Sequence, residues 1–307
     1  MKRVIITGAS GPLGAIIARK CLSRGLEVLA IVRPGSQRIS NIPQDPKVRI
    51  VEHSASELSS LELGEDSPYD ACIHLAWMHT DSIGRSNPRF QANNIPMTLD
   101  VAEFAKRMGC RVMVAAGSQA EYGRLSGVAD EEMPENPLVP YGMAKVAACR
   151  LLMEYGRQHD MRVNWMRIFS VYGPYENEYV LTSYVIRTLL EKREPELTPC
   201  EQLWDFLYTE DVARAFLDVA EKAKKSGIYC LGSGEARPLR EYVETIRDEI
   251  DPALPLGIGK KPYGAGQIMH LQADIGKLTR EIGFAPQIPF REGARRTIEW
   301  YRGRMER

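Results

Sequence analysis

Thr7-Gly8-Ala9-Ser10-Gly11-Pro12-Leu13-Gly14 follows an apolar run at 3–7 and precedes helical periodicity over 13–22. A strand, a glycine-rich turn and a helix in that order make a cradle for an anion. Gly8 permits the tight turn, Gly11 lets the backbone approach a pyrophosphate, and Gly14 lets the helix pack close to the strand. The helix N-terminus adds free N–H groups and a partial positive charge. The segment therefore predicts a dinucleotide site formed by Gly8, Ser10, Gly11, Pro12, Leu13 and Gly14.

Further apolar runs fall at 28–32, 48–51, 71–76, 112–116 and 163–168, with helical periodicity at 97–108 and 141–159. Strands apolar on both faces and separated by helices imply a parallel sheet covered on both sides. The expected fold is α/β, a Rossmann-type doubly wound sheet, and six runs fit the dinucleotide-binding order. The second half is less regular. It predicts helices at 179–192, 210–224, 239–250, 273–282 and 291–301, and strands near 196–198, 205–208 and 227–231. Proline and glycine concentrate at 252–266, which reads as a long loop over a site. The expected division is a cofactor domain at 1–172, to which 205–234 return, and a smaller, mostly C-terminal substrate-binding lobe at 173–204 and 235–307.

The 307 residues carry 40 Lys or Arg against 40 Asp or Glu, with 44% apolar and 26% charged residues. Such a balance gives no long-range field to gather a polyanion, and no basic run supplies a local one, so neither nucleic acid nor a membrane surface is an expected partner. No stretch approaches the roughly 18 apolar residues of a membrane span, and three apolar residues after Met1-Lys2-Arg3 make no signal peptide. The six cysteines are scattered, without C-x-x-C or Cys/His spacing. They predict buried free thiols in a reducing cytoplasm, and no metal site.

The spacing of the glycines, G-x-x-G-x-x-G, resembles the extended branch of the short-chain dehydrogenase/reductase superfamily, the nucleotide-sugar epimerases, dehydratases and reductases. Two further elements carry the resemblance. Tyr141-Gly142-Met143-Ala144-Lys145 contains Y-x-x-x-K at the start of a helix, where residues four apart share a face. A lysine there reaches the cofactor ribose and eases proton loss from a phenol that is otherwise a poor proton carrier at neutral pH. Ser118 follows the fifth apolar run, 23 residues before Tyr141, as the superfamily pattern implies. Ser118, Tyr141 and Lys145 are thus the expected catalytic residues. By the same resemblance Ala76, and Asn93 or Asn94, contact the cofactor. His74 reads as a packed strand residue.

An NAD enzyme of this type ends its second strand in an acid that holds the adenine ribose. Here Val32 takes that place, Arg33 follows at once, and Ser36 and Arg38 lie in the same loop. Two guanidiniums and a hydroxyl suit a phosphate dianion, so NADP(H) is expected in preference to NAD(H).

Dehydratases of the family carry an Asp-Glu pair directly after the catalytic hydroxyl. Gln119 and Ala120 stand there, and Glu121 is one position late, which on an extended chain would turn it to the opposite face. Arg167 to Pro174 resembles the family's R-x-x-N-x-Y-G-P segment, and Leu203 to Ala213 its R-D-(F/Y)-(I/L)-x-V-x-D segment. Gln119, Tyr172, Trp204 and Lys261 are the expected substrate contacts. Trp204 and Gly264 stand where relatives often have arginines, with Lys261, Arg187, Lys192 and Lys260 as candidates to compensate.

The resemblance implies an NADPH-dependent reductase of a nucleotide-linked 4-keto-6-deoxyhexose. The alternatives are a nucleotide-sugar epimerase that retains its nicotinamide, and a non-catalytic NADP-sensing regulator. It also implies a homodimer formed through the helices at 97–108 and 141–159.

Overall fold

The computed structural model describes residues 1–64 and 67–305. The first half runs β1 (Arg3–Thr7), α1 (Pro12–Ser23), β2 (Glu27–Val32), β3 (Val48–Glu52), β4 (Ala71–His74), α2 (Ser82–Arg85), α3 (Pro88–Ala92), α4 (Asn94–Arg107), β5 (Val112–Ser118), β6 (Ser126–Ala129), α5 (Pro140–Gln158) and β7 (Arg162–Ile168). The second half continues β8 (Ser170–Tyr172), α6 (Leu181–Leu190), β9 (Leu203–Trp204), β10 (Phe206–Tyr208), α7 (Thr209–Lys222), β11 (Gly227–Leu231), β12 (Arg237–Pro238), α8 (Leu239–Ile250), β13 (His270–Ala273), α9 (Gly276–Ile282) and α10 (Phe290–Met305).

Seven strands form one parallel sheet in the order β11-β7-β5-β4-β1-β2-β3. The six expected runs are all in it, and β11 joins as a seventh strand beside β7. Alternate residues explain why it is covered twice. Val4 and Ile6 of β1 pack with Ile17 of α1 and Phe216 of α7, whereas Ile5 packs on the side of Val101 and Phe104 of α4 and Leu152 of α5. The order reverses between β1 and β4, the place where an open α/β sheet leaves a crevice at its carboxyl edge.

A separate apolar cluster joins α6, α8 and α10 through Val185, Ile186, Val243 and Ile298. Tyr172, Phe206 and Tyr208 also pack into it. Four short strands, β12-β9-β13-β6, make a small mixed sheet. Its anchor is Asp205, a fully buried carboxylate between β9 and β10. It accepts hydrogen bonds from Ser233 N (2.6 Å), Ser233 Oγ (2.7 Å), Gly234 N (3.1 Å) and Ala273 N (3.1 Å).

Three local expectations change. The stretch near 196–198 is no strand but a single bridge from Glu196 to Gly257. The helix expected from 273 starts at Gly276, because His270–Ala273 is taken into a ladder with Ser126–Ala129. The fourth run ends as a strand at His74, and the chain then turns over the glycine loop. All six cysteines are buried and free. Among the described residues no helix is long and apolar enough to cross a membrane, and no cluster of three or more His, Cys, Asp or Glu could hold a metal.

Candidate active site

The glycine cradle is dictated by close approach. Gly8 has φ +71°, and a Cβ there would lie 2.8 Å from Ala76 N. A Cβ on Gly14 would lie 2.4 Å from Gly8 O, so any side chain would push α1 off the turn. Gly11 N donates to Gly8 O at 3.0 Å and closes the turn. Gly11 is also the N-cap of α1, and no side chain caps that end. Its first amides are therefore left for an anion, which is the fit a dinucleotide pyrophosphate requires.

The loop after β2 is stitched to this cradle. Ser10 Oγ and Ser36 Oγ are 3.0 Å apart, Asn41 Nδ2 donates to Ser10 O at 3.2 Å, and Arg19 Nη1 donates to Asn41 O at 2.6 Å. Val32 is buried at the strand end, and Arg33 and Arg38 are exposed in the loop. Glu52, beside Val32 in the sheet register, accepts a hydrogen bond from Gly35 N at 3.0 Å. Arg38 also lines a cavity of about 640 Å³ together with Glu176 and Trp300.

Ser118 ends β5 and is buried. Its Oγ accepts from Ala120 N at 3.2 Å, opening the 3₁₀ turn Gln119–Glu121. Pro140 starts α5, and Gly142 brings it close: a Cβ on Gly142 would lie 2.3 Å from Ala120 O. That contact seats Tyr141 against the turn carrying Ser118. Burial raises the Tyr141 phenol above its ordinary range, and Arg85 and Ser118 pull it back. Lys145, one turn further and 3% exposed, donates to Ala116 O at 2.6 Å, with its Nζ 3.5 Å from the Trp77 ring centroid. Burial holds its ammonium below the usual lysine range, opposed by Glu121 and reinforced by Arg85. The structure thus brings the expected trio together.

Glu121 departs from expectation. The chain there is a tight turn and not an extended strand, and the carboxylate folds back into the interior instead of to an opposite face. It is fully buried, accepting from Ser118 N (2.8 Å), Trp165 Nε1 (2.9 Å) and Arg167 Nε (2.7 Å). Arg167 in turn donates to Tyr122 Oη at 2.9 Å and pairs with Glu135. Glu121 is committed to positioning Ser118. Gln119 is different: its Oε1 is buried without a hydrogen-bond partner, an acceptor left for something else.

Of the two asparagines, Asn94 is the buried one. Its Oδ1 accepts from Met78 N at 2.7 Å and its Nδ2 faces Met78 O at 3.3 Å, fixing the chain beyond Ala76, whereas Asn93 is exposed. His74 is a packed residue as read. Its Nδ1 lies 2.8 Å from Thr7 Oγ1, and burial, with Lys145 nearby, pushes it down to about 3. Sequence reasoning missed Trp77 and Arg85. Trp77 could have been found, since it directly follows Ala76, but nothing in the sequence ties Arg85 to Tyr141.

Tyr172 is a correction. It is 1% exposed, its hydroxyl donates to Phe290 O at 3.1 Å, and its ring packs on Phe206, Tyr208 and Phe290, so it is core and not a substrate contact. Trp204 and Lys261 line one cavity of about 610 Å³, with Tyr179, Tyr184 and Phe206 in its wall. Trp204 Nε1 donates to Ser170 Oγ at 2.7 Å, and Ser170 lies two residues beyond Ile168, the register partner of Ser118. Trp204, in the wall of the cavity, therefore lies near the strand end that carries Ser118. Lys261 comes from the proline- and glycine-rich loop and sits 3.7 Å from Glu196.

Proteins that place these groups in this way are short-chain dehydrogenases and reductases, and this chain is of that class. It belongs to the NAD dependent epimerase/dehydratase family, whose pattern it matches over residues 4–232, and is an enzyme of the extended type. It is similar to UDP-glucuronic acid decarboxylase 1 of Arabidopsis thaliana, 26% identical over 99% of this chain and 70% of that one. Among solved structures, MoeE5 in complex with UDP-glucuronic acid and NAD is 26% identical, with a TM-score of 0.83 over 98% of this chain and 99% of that one. UDP-N-acetylglucosamine 4-epimerase from Methanobrevibacter ruminantium M1 shares the fold, with a TM-score of 0.89 and 23% identity over 99% of both chains.

Proposed function

We propose that the enzyme reduces the 4-keto group of a nucleotide-linked 4-keto-6-deoxyhexose, with NADPH as reductant. The observation that carries this reading is the Ser118, Tyr141 and Lys145 set together with a Glu121 already committed to Arg167. Proton exchange at a carbonyl is provided for, whereas the additional acid and base that elimination of water requires are not. A dinucleotide held by the cradle at Gly8, Gly11 and Gly14 and by Lys145 would supply the hydride. Tyr141 delivers the proton to the carbonyl oxygen, Ser118 orients that oxygen by a hydrogen bond, and Lys145 holds the ribose and favours the tyrosinate that results. Gln119 offers its free Oε1 to a sugar hydroxyl, and the cavity at Trp204 and Lys261 receives the nucleotide. Purified enzyme mixed with a panel of nucleotide-linked 4-ketosugars is expected to bleach added NADPH in proportion to substrate. No bleaching across the panel rejects the reading.

The second reading is an epimerase, favoured by the match to known epimerases across nearly the whole chain. It would purify with a tightly held nicotinamide and show no net turnover of added NADPH.

Preference for NADP(H) rests on the buried, uncharged Val32 and the exposed Arg33 and Arg38. Charge-assisted hydrogen bonds contribute about 1.5–3 kcal/mol each. Replacing both arginines by alanine is expected to raise the KM for NADPH at least about tenfold and leave that for NADH nearly unchanged. Equal losses for both cofactors would sink the assignment. The division into a cofactor part at 1–172 with 205–234, and a substrate lobe at 173–204 and 235–307, belongs to the same reading, supported by the separate cluster of α6, α8 and α10. So does a homodimer through α4 and α5, where Met143 and Leu151 leave apolar surface exposed.

A further inference from the structure

Arg85 ends the four-residue helix α2, which is built to hold it in place. Asp81 Oδ1 accepts from Gly84 N at 2.9 Å. The buried Gln91 ties the helix to the strand end: its Nε2 donates to Gly84 O at 3.0 Å and to His79 O at 2.8 Å, while its Oε1 accepts from Trp77 Nε1 at 2.9 Å. One glutamine thus fixes two groups on the candidate proton carrier and its partner. The Arg85 guanidinium carbon lies 4.1 Å from the Tyr141 ring centroid, and Trp77 meets the same ring edge-on at 6.0 Å while lying against Lys145.

Among the described residues no carboxylate is paired with Arg85. The other charged or titratable groups facing the trio are few. Lys145 lies along α5 with its Nζ 5.8 Å from the Tyr141 centroid, Glu121 in the turn after β5 is engaged by Arg167, and His74 and Cys149 face Lys145. Lys145 itself is drawn aside to Ala116 O and Trp77. We propose that Arg85 is a positioning residue that clamps the Tyr141 ring and acts as a second cation stabilising its deprotonated oxygen, a task otherwise left to Lys145. A cation over an aromatic face is attracted to the neutral ring, and far more to the phenolate, so its effect is greatest in the state that has given up the proton. The inference rests on reading Tyr141 as the proton carrier.

The test uses the full chain labelled with ¹³Cζ-tyrosine, in which the Tyr141 resonance is identified by its loss in Tyr141→Phe. In Arg85→Gln and Arg85→Met that resonance is expected to titrate at higher pH than in the wild type, because the anion loses a stabilising charge, and Arg85→Lys is expected to restore most of the difference. In kinetics, the alkaline fall in NADPH-dependent reduction should move to higher pH, and oxidation in the reverse direction at neutral pH should slow roughly tenfold, with the KM for NADPH unchanged. A Tyr141 titration identical in wild type, Arg85→Gln and Arg85→Met overturns the proposal. The resonance is read without turnover, so failure of the reductase reading, seen as no bleaching with any 4-ketosugar, leaves this outcome separately decidable.

Discussion

Tyr141→Phe is expected to lower hydride transfer by a factor of about 10²–10⁴, the usual contribution of a positioned general acid, while NADPH still binds. The substitution removes one oxygen and keeps the ring, so the contacts with Trp77 and Arg85 and the packing of α5 on the Ser118 turn persist. On the proposed reading, what disappears is the proton for the carbonyl oxygen. Single-turnover bleaching of NADPH measures the first effect, and a fluorescence titration with NADPH checks that binding survives.

Arg167→Leu is expected to destabilise the fold by about 3–5 kcal/mol, because it leaves the Glu121 carboxylate buried without its counter-charge. Both side chains are almost wholly inaccessible, at 1% and 0%. Urea unfolding measures the loss, and the midpoint should fall without a large change in slope. Adding Glu121→Leu removes the stranded charge and should recover part of the stability, although Ser118 N and Trp165 Nε1 then lose their acceptor. If the single and double variants are equally unstable, the penalty comes from packing and not from charge. Activity separates from stability here: the double variant should remain impaired even where it is folded, since the amide of Ser118 is no longer held.

The sheet was legible because each of its strands is an apolar run long enough to stand out from its surroundings. The glycine cradle was legible because close approach leaves glycine as the residue that fits at Gly8 and Gly14. Strands of two or three residues, such as β9 and β12, have no periodicity of their own, and tertiary pairing alone makes them. Tyr172 shows a different limit. A tyrosine in a motif can face a ligand or a core, and here the Phe290 carbonyl and three aromatic neighbours decide for the core. The direction of Glu121 depends on whether the chain extends or turns after Ser118, which the residue types alone do not decide. The turn is set by a capping box in which Glu121 itself takes part. Arg85 reaches Tyr141 through the fixed path of the chain from 77 to 91, which no spacing rule encodes.

Asp205 bears on how the protein is made. Its carboxylate is satisfied by amides from residues 233, 234 and 273, and each of these leaves the ribosome later than the carboxylate itself. While synthesis is incomplete, the nascent chain carries an ion that cannot be buried without penalty, which keeps the short strands around it open to solvent. The parallel sheet can form as far as β7, which pairs with β5, and β11 then adds at its edge, whereas β13 of the small sheet is not complete until Ala273. Asp205 therefore finds its full set of donors only once residue 273 is in place, so the small sheet closes after the strands that carry the glycine cradle are made.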